Sequence, residues 1–304
     1  RVSVAKISLD TFTLVGTLMI PGISGYDSRL SLIDVPNNRL YIGGYSYDVL
    51  GGGGFGLARI DLDSFTVSQT YNHASQWALQ YNCGCIDAAN GYMYVMIESY
   101  YTLTGWPYYP VVAKIRLSDL VIVATTTLGS NFYPQYQAIQ SLAIDLVHGH
   151  VYVGTRGTSF VNVNSRLYKL DLNLNSLAYY DFGYNPNANM YSGIVNQSGS
   201  HGYFQRDSII RINLSTFQEE GSVNCYGNSQ SNMVLDNVNN YLYVTQINKV
   251  YKIGAYPRTF SLIATITTDN TPQMGDINID TNNGELYVSY DNNPSYIASI
   301  DSGV

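Results

Sequence analysis

The sequence predicts an all-β fold, a single β-propeller made of six four-stranded blades. Three observations predict it: a hairpin motif recurs along the chain, a second strand motif follows each hairpin, and the composition suits strands better than helices. Val, Ile, Thr and the 29 Tyr residues favour half-buried pleated surfaces. Lys and Glu, which are strong helix formers, are rare.

The hairpin motif is an Asp followed, at a constant spacing, by a Tyr. An apolar strand ends at the Asp, a turn rich in Asn and Gly follows, and the next strand carries the Tyr. Asn and Gly tolerate the left-handed backbone of tight hairpins, and Asp can cap the turn by bonding backbone amides. Each copy therefore predicts two antiparallel strands, named A and B. The copies span 34–41, 87–94, 145–152, 236–243 and 280–287, and a sixth copy begins with Asn196 instead of Asp.

A stretch with alternating apolar residues follows each hairpin and predicts strand C, and a further apolar stretch predicts strand D. Four-stranded units that recur at intervals of roughly 40 to 60 residues are typical of propeller blades. In most copies of strand C a basic residue precedes an Ile or Leu, and this apolar residue is expected to point into the core. The seven predicted core positions are Ile7, Ile60, Ile115, Leu170, Ile212, Ile253 and Ile300.

The number of blades follows from how the chain closes. The sequence has six A–B hairpins but an additional C–D-like stretch at 5–18. Residues 1–20 are therefore predicted to complete the last blade, so that 1–304 forms one propeller. Seven blades, or a window of a longer tandem array, are the alternatives.

The charge of the chain excludes two classes of partner. The formal net charge is −7, the sequence pI is about 4.9, and there is no run of Lys or Arg. Nucleic acids and anionic membrane surfaces are therefore poor partners. No apolar stretch is long enough to cross a bilayer as a helix, so membrane insertion is not expected.

Two segments carry a resemblance to a known class of repeats. VAKISLDTFTLVGTL at 4–18 and VYVGT at 151–155 resemble YVTN/NHL-like propeller repeats, particularly those of large extracellular proteins of protists and bacteria. The resemblance covers nearly the whole chain, and its motifs are structural. It implies a propeller at an extracellular or cell-surface location, and it supplies no catalytic residue.

Loops rich in Tyr, Trp, Asn and Gln form the predicted contact surface. They include 46–56, 72–82, 99–110 and 129–137. Flat aromatic side chains beside amides suit protein contacts and also the stacking of sugars. The candidate contact residues are Tyr47, Phe55, Trp77, Tyr100, Tyr101, Trp106, Tyr108, Tyr109 and Tyr133.

Two sequons, at Asn196 and Asn213, predict N-linked glycans if a eukaryote secretes the protein. His148, His150 and His201 fall in or beside A–B turns, where a zinc site is conceivable but polar turn residues are expected. No metal site and no cofactor is predicted.

The three cysteines do not have the spacing of a zinc site. Cys83, Cys85 and Cys225 are expected to be buried or free thiols, although a strained bond between the first two is possible.

The sequence thus favours a non-catalytic extracellular module, with a structural, assembly or adhesion role in a surface coat or filament. Its expected partners are copies of itself or tandem neighbouring domains. The alternatives are a carbohydrate-binding module and a propeller hydrolase or lyase. An enzyme would need paired carboxylates or a metal cluster, and the acidic residues of the loops show no pair at a motif spacing.

Overall fold

The structure is a computed structural model. It describes residues 3–8, 13–21, 23, 28–47, 53–73, 77–99, 109–128, 139–155, 164–183, 190–225, 232–246, 248–267, 274–281, 285–290 and 296–301. The regular elements in these ranges are all β-strands, and no helix there could cross a membrane.

Five antiparallel sheets have four strands each, arranged in chain order as A, B, C and D. We number them blades I to V. Blade I contains β3 (Ser28–Asp34), β4 (Arg39–Tyr47), β5 (Gly53–Asp61) and β6 (Thr66–His73). Blade II contains β7 (Trp77–Asp87), β8 (Tyr92–Ser99), β9 (Tyr109–Arg116) and β10 (Ile122–Thr127). Blade III contains β11 (Ile139–Asp145), β12 (His150–Thr155), β13 (Arg166–Asp171) and β14 (Ser176–Asp181).

The remaining strands form the last two blades and two smaller sheets. Blade IV contains β15 (Gly193–Val195), β16 (His201–Gln205), β17 (Ile209–Asn213) and β18 (Gln218–Val223). Blade V contains β19 (Met233–Asp236), β20 (Tyr241–Gln246), β21 (Lys249–Gly254) and β22 (Leu262–Thr267). A three-stranded sheet contains β23 (Met274–Asp280), β24 (Glu285–Tyr290) and β25 (Tyr296–Asp301), and a two-stranded sheet contains β1 (Ser3–Ser8) and β2 (Thr13–Met19).

The predicted number of six four-stranded blades is corrected to five. All six A–B hairpins form, but the sixth, β23–β24, continues only into β25 and makes a three-stranded sheet. The additional C–D stretch pairs with itself as β1–β2. The hairpin motif specifies local pairing, whereas a fourth strand requires a partner that the motif does not encode. Closure of the last blade by residues 1–20 stays a prediction.

The turn residues of the hairpin motif act as predicted. Asp87 is buried, and its carboxylate accepts hydrogen bonds from the backbone amide of Asn90 at 3.1 Å and its side-chain amide at 2.8 Å. Asp34 and Asp236 bond Asn37 and Asn239 in the same way. These buried carboxylates are therefore paired within their turns, which offsets the cost of removing them from water.

The core includes the predicted apolar positions of strand C and the motif tyrosines. Five of the seven predicted positions have fully buried side chains: Ile60, Ile115, Leu170, Ile212 and Ile253. The side chains of Ile7 and Ile300 lie outside the described residues. The tyrosines of five hairpins are also among the largest fully buried side chains: Tyr41, Tyr94, Tyr152, Tyr203 and Tyr243.

Tertiary contacts divide the chain into two compact units. The first is Arg1–Leu142 with Asp171–Asn175, and the second is Ala143–Leu170 with Ser176–Val304. The first unit thus contains β1–β2, blades I and II and the C–D turn of blade III.

Within the first unit, the basic residue of strand C joins each sheet to the C–D turn of the next. Lys6 Nζ donates to the carbonyl oxygen of Leu62 at 2.8 Å. Lys114 Nζ and the Tyr94 hydroxyl both donate to the carbonyl oxygen of Leu172, at 2.8 and 2.9 Å. These bonds give the turn carbonyl oxygens a side-chain donor, so the recurring base of strand C connects each sheet to the turn of the next.

The junction between blades IV and V, in the second unit, uses a related contact. The buried Tyr203 hydroxyl accepts a hydrogen bond from the backbone amide of Tyr256 at 2.7 Å. Arg211, the base of strand C, stacks on the Phe260 ring of blade V at 5.2 Å. At this junction too, the motif tyrosine and the basic residue of strand C both contact the next blade.

Parts of the predicted loops are strands. Segment 46–56 contains the end of β4 and the start of β5, which pair as far as Tyr47 with Gly53. A Cβ atom at Gly56 would lie 2.9 Å from the Ile23 side chain, so this glycine permits close packing rather than a flexible loop. Because a central strand is held by backbone pairing on both sides, it forms despite the low strand propensity of glycine.

Candidate functional site

The candidate contact residues from the sequence are only partly described. Tyr47, Trp77 and Tyr109 lie in β4, β7 and β9, but their side chains are outside the described residues. Five further candidates lie wholly outside them: Tyr100, Tyr101, Trp106, Tyr108 and Tyr133.

The prediction that Phe55 is a contact residue is wrong, because its side chain is completely buried in the core of blades I and II. It lies in β5, a central strand of its sheet, and packs inward instead of facing a partner. The sequence placed it in a loop because glycines surround it, whereas β5 already begins at Gly53.

The described candidate surface is formed instead by strand D, the last strand of its sheet, in six of the seven described sheets. Each of these strands is paired on one side only within its sheet, so alternate residues direct their backbone N–H and C=O groups outward. Natural sheets usually protect such edges with charged side chains or Pro. We call the exposed residues of these strands the outer-strand surface. The strands that carry it are β2, β6, β10, β14, β18 and β22.

A β-bulge recurs near the start of every one of these strands, opposite the core Ile or Leu of strand C. Bulges turn a side chain away from its regular position. In four strands the bulged residue is a large apolar one that is exposed: Val15, Val123, Leu177 and Ile263. The bulge thus presents apolar side chains to solvent repeatedly, in both units.

Charge divides the outer strands into two groups. β2, β6, β10 and β22 contain no Asp, Glu, Lys or Arg. β14 ends at Asp181, which accepts a hydrogen bond from Arg166 Nε at 3.1 Å, and β18 contains Glu219 and Glu220. The uncharged strands lack the side chains that normally prevent edge pairing, whereas β18 has them.

The bulge of β18 holds a polar cluster instead of an apolar side chain. Glu220 Oε2 lies 3.0 Å from His201 Nε2, and its Oε1 accepts a hydrogen bond from Asn213 Nδ2 at 2.9 Å. His201 Nδ1 lies 2.9 Å from Ser200 Oγ, and its ring stacks on Tyr256 with centroids 4.1 Å apart. These contacts place the cluster at the junction of blades IV and V.

The same cluster bears on the enzyme alternative, because Ser, His and Glu are the residue types of a nucleophilic triad. Here the His201 ring is buried beneath Tyr256, and both ring nitrogens have partners. The Ser200 hydroxyl also accepts from Asn196 Nδ2 within its own turn. These contacts tie the cluster to its own turn and to the junction of blades IV and V, and the enzyme alternative stays a hypothesis.

Burial lowers the pKa of His201, and this effect outweighs the opposite influence of Glu220. The hydrogen bond from Asn213 holds the pKa of Glu220 below its usual range. A group with a lowered folded pKa binds protons less readily in the folded state, so the stability it confers is present at higher pH and is lost on acidification.

We expect the free energy of unfolding to fall as the pH drops through about 6.5, by at most about 1.4 kcal/mol per pH unit for this one histidine. The loss of stability due to His201 should continue until the pH falls below the folded pKa of His201. The loss due to Glu220 should begin only at lower pH, near the ordinary pKa range of a carboxylate. Urea unfolding between about pH 7 and 5 measures the slope, which His201→Gln should reduce.

The control is His148→Gln, which removes a half-exposed imidazole from the A–B turn of blade III. If His201→Gln leaves the slope unchanged while the control reduces it, the assignment to His201 is wrong.

Both sequon asparagines cap turns. Asn196 Oδ1 accepts from the backbone amides of Ser200 and His201, each at 3.0 Å, and Asn213 Oδ1 accepts from Ser215 at 3.0 Å. Both side chains are half-buried. Their glycosylation stays a prediction.

The other two histidines of the conceivable zinc site contact turn residues or each other, and two of the three cysteines are buried. His148 Nδ1 lies 2.8 Å from the buried Asp145 carboxylate, and the His148 and His150 rings are stacked. In the described part of the chain no group of His, Cys, Asp and Glu has metal-binding geometry. Cys85 is buried, and burial raises the pKa of the Cys225 thiol to about 11.

Comparisons with known proteins identify the fold. No protein-family profile and no curated protein sequence matches the chain. The β-propeller domain of Cps50 (Swd1) from Myceliophteria thermophila is similar in structure, with 9% sequence identity and a TM-score of 0.67 over 98% of this chain and 90% of that chain. A protein of unknown function from Bacteroides caccae has 14% identity and a TM-score of 0.56 over 87% of this chain and 90% of that chain. At these identities the likeness shows a β-propeller fold alone.

Proposed function

We propose that this β-propeller is a non-catalytic structural module that assembles with copies of itself or with tandem neighbouring domains, in an extracellular or cell-surface coat or filament. The observation that carries the proposal is the outer-strand surface, where uncharged edge strands expose apolar side chains. An exposed edge of this kind binds other strands unless it is protected.

Charge supports a role in assembly. Charged residues make up only 12% of the chain, about half the usual share, and none of them lies in β2, β10 or β22. Few exposed charges weaken the repulsion that keeps soluble domains apart. The extracellular location is supported by the two sequons and by the resemblance to repeats of large extracellular proteins.

Light scattering and electron microscopy of the purified chain test the proposal. We expect the mean mass to increase with concentration. We expect a variant with a lysine at each exposed apolar bulge residue of the outer strands to reduce this increase; the four changes are Val15→Lys, Val123→Lys, Leu177→Lys and Ile263→Lys. The matched control is Val35→Lys, since Val35 is highly exposed in an A–B turn and lies outside the outer strands.

Monomers at every concentration, together with tight binding to one sugar on a glycan array, would replace this proposal with the carbohydrate-binding alternative. Equal effects of the outer-strand variant and the control would show that assembly uses another surface. An intact mass equal to that of the bare polypeptide, in material secreted by a eukaryotic cell, would remove the support that the sequons give.

A further inference from the structure

We infer that strand β22 of blade V is a self-association site, which pairs antiparallel with β22 of a second copy about a two-fold axis near Thr265. The inference rests on the proposed function and names the surface and the partner through which assembly begins. It follows from the exposure of the strand, its lack of charge and the symmetry of its sequence.

β22 is exposed along its whole length. All six side chains from Leu262 to Thr267 are solvent-exposed, whereas those of β10 alternate between exposed and half-buried. The exposed fractions of the apolar side chains are 45% for Leu262, 51% for Ile263 and 38% for Ile266. A strand that is open on both faces of the sheet and at its edge can receive a further strand without displacing any neighbour.

The sequence of β22 is compatible with pairing to itself. With the axis at Thr265, this residue faces its own symmetry mate and Ala264 faces Ile266, within the part of the strand that pairs regularly with β21. Thr–Thr and apolar cross-strand pairs stabilise antiparallel sheets, and no like charges are opposed. Because a two-fold contact uses the same surface on both copies, such self-complementarity is the property it requires.

The bulge of β22 leaves room for this pairing. It lies at Ile263, and the pairing with β21 is regular from Ala264 to Thr267. The regular part of the strand therefore retains an open backbone edge, while the bulge directs one more apolar side chain outward.

The distribution of charge around β22 is also compatible with a second copy of the chain as the partner. The chain has a net charge of −7, so two copies repel each other unless they meet where acidic side chains are absent. In the described part of blade V the single acidic residue is Asp236, which is buried in its turn, whereas Lys249 and Arg258 are exposed. The described part of blade V therefore exposes no acidic side chain, and β22 itself carries no charge.

The equivalent edge of blade IV lacks these properties. β18 begins with Gln218, Glu219 and Glu220. A two-fold pair of β18 strands would add the four carboxylates of Glu219 and Glu220 to the contact between two negatively charged copies, whereas β22 adds none. Blade IV therefore provides a control strand at the same position of the repeat.

Disulfide trapping tests the inference. In a Cys83→Ser background, Thr265→Cys places a thiol on the axis, where facing residues of an antiparallel pair have Cα atoms about 4.5–5.5 Å apart, within the range of a disulfide. We expect mild oxidation to give a covalent dimer. The matched controls are Ser222→Cys in β18 and Thr125→Cys in β10, which occupy the equivalent exposed positions and should remain monomeric.

A charge variant tests the same contact without a cysteine. Ala264→Lys combined with Ile266→Lys opposes like charges across the axis, and we expect it to weaken dimerisation roughly tenfold or more, as measured by analytical ultracentrifugation. Circular dichroism verifies that the variant is folded, which is expected because both side chains are exposed.

The outcomes separate this inference from the proposed function. If the unmodified chain assembles but Thr265→Cys gives no dimer and the lysine variant assembles normally, β22 is not the site and the assembly role stands. A covalent dimer of Thr125→Cys alone would assign the contact to β10 and overturn the inference. If the unmodified chain is monomeric at every concentration up to about 100 µM, both proposals fail.

Discussion

Replacing Ile115 by Ala is expected to lower the free energy of unfolding by about 2–5 kcal/mol, since the change leaves a cavity in a closely packed core. Ile115 is completely buried in β9 and belongs to the apolar cluster shared by blades I and II. Its neighbours in this cluster include Met93 and Leu120. Urea or guanidinium unfolding measures the change.

Val123→Ala is the matched control for this experiment. Val123 lies at the bulge of β10, opposite Ile115, and its side chain is exposed. Its loss should alter stability by no more than about 0.5 kcal/mol. A change of that small size for Ile115→Ala would show that the register assigned to strand C is wrong.

Gly254→Ala is expected to destabilise the chain by about 1–3 kcal/mol, because the methyl group has no space. A Cβ atom at Gly254 would lie 2.2 Å from the backbone oxygen of Thr259, so the C–D turn of blade V would have to shift. Three other C strands end at this position with a residue that caps the turn: Asp61, Asp171 and Asn213.

The control for this change is Gly16→Ala. A Cβ atom at Gly16 would meet only the Phe65 ring, at an ordinary contact distance of 3.6 Å. We expect the stability to stay the same or to increase slightly, because alanine reduces the conformational entropy of the unfolded chain. Equal stability of both variants in denaturant melts would show that the turn around Thr259 adapts freely.

Sequence reasoning was most successful for local structure. The spacing from Asp to Tyr located all six A–B hairpins, and the alternation in strand C identified core residues such as Ile60 and Leu170. Both signals arise from interactions within one sheet. Period-2 burial and turn chemistry are encoded in neighbouring residues, so they can be read without knowledge of the fold.

It was less successful where a residue acts between sheets. The base of strand C recurs in the sequence, yet its role became visible only when Lys114 was found to donate to the Leu172 carbonyl oxygen of another sheet. Likewise, His201 could be placed in a turn, but not beneath Tyr256 of the next blade. Such contacts depend on residues far apart in the chain, which no local pattern specifies.

The candidate contact surface changed for a similar reason. Aromatic composition drew attention to the loops and included Phe55, which is in fact buried in a central strand. The outer strands were predicted as strands, but their sequences alone do not indicate which edge is left open. β22 reads LIATIT, a pattern that would suit a covered strand equally well.

The sequence by itself therefore determined the all-β class, the six hairpins, the capped turns and the inward face of strand C, because each depends on residues within one hairpin or one strand. The tertiary structure decided that five sheets have four strands, that Lys114 and Tyr94 join neighbouring sheets, and that β22 exposes both faces and an open edge. These features depend on which strands meet in space. Pairing and exposure are properties of the assembled sheets, so a chain read one segment at a time does not contain them.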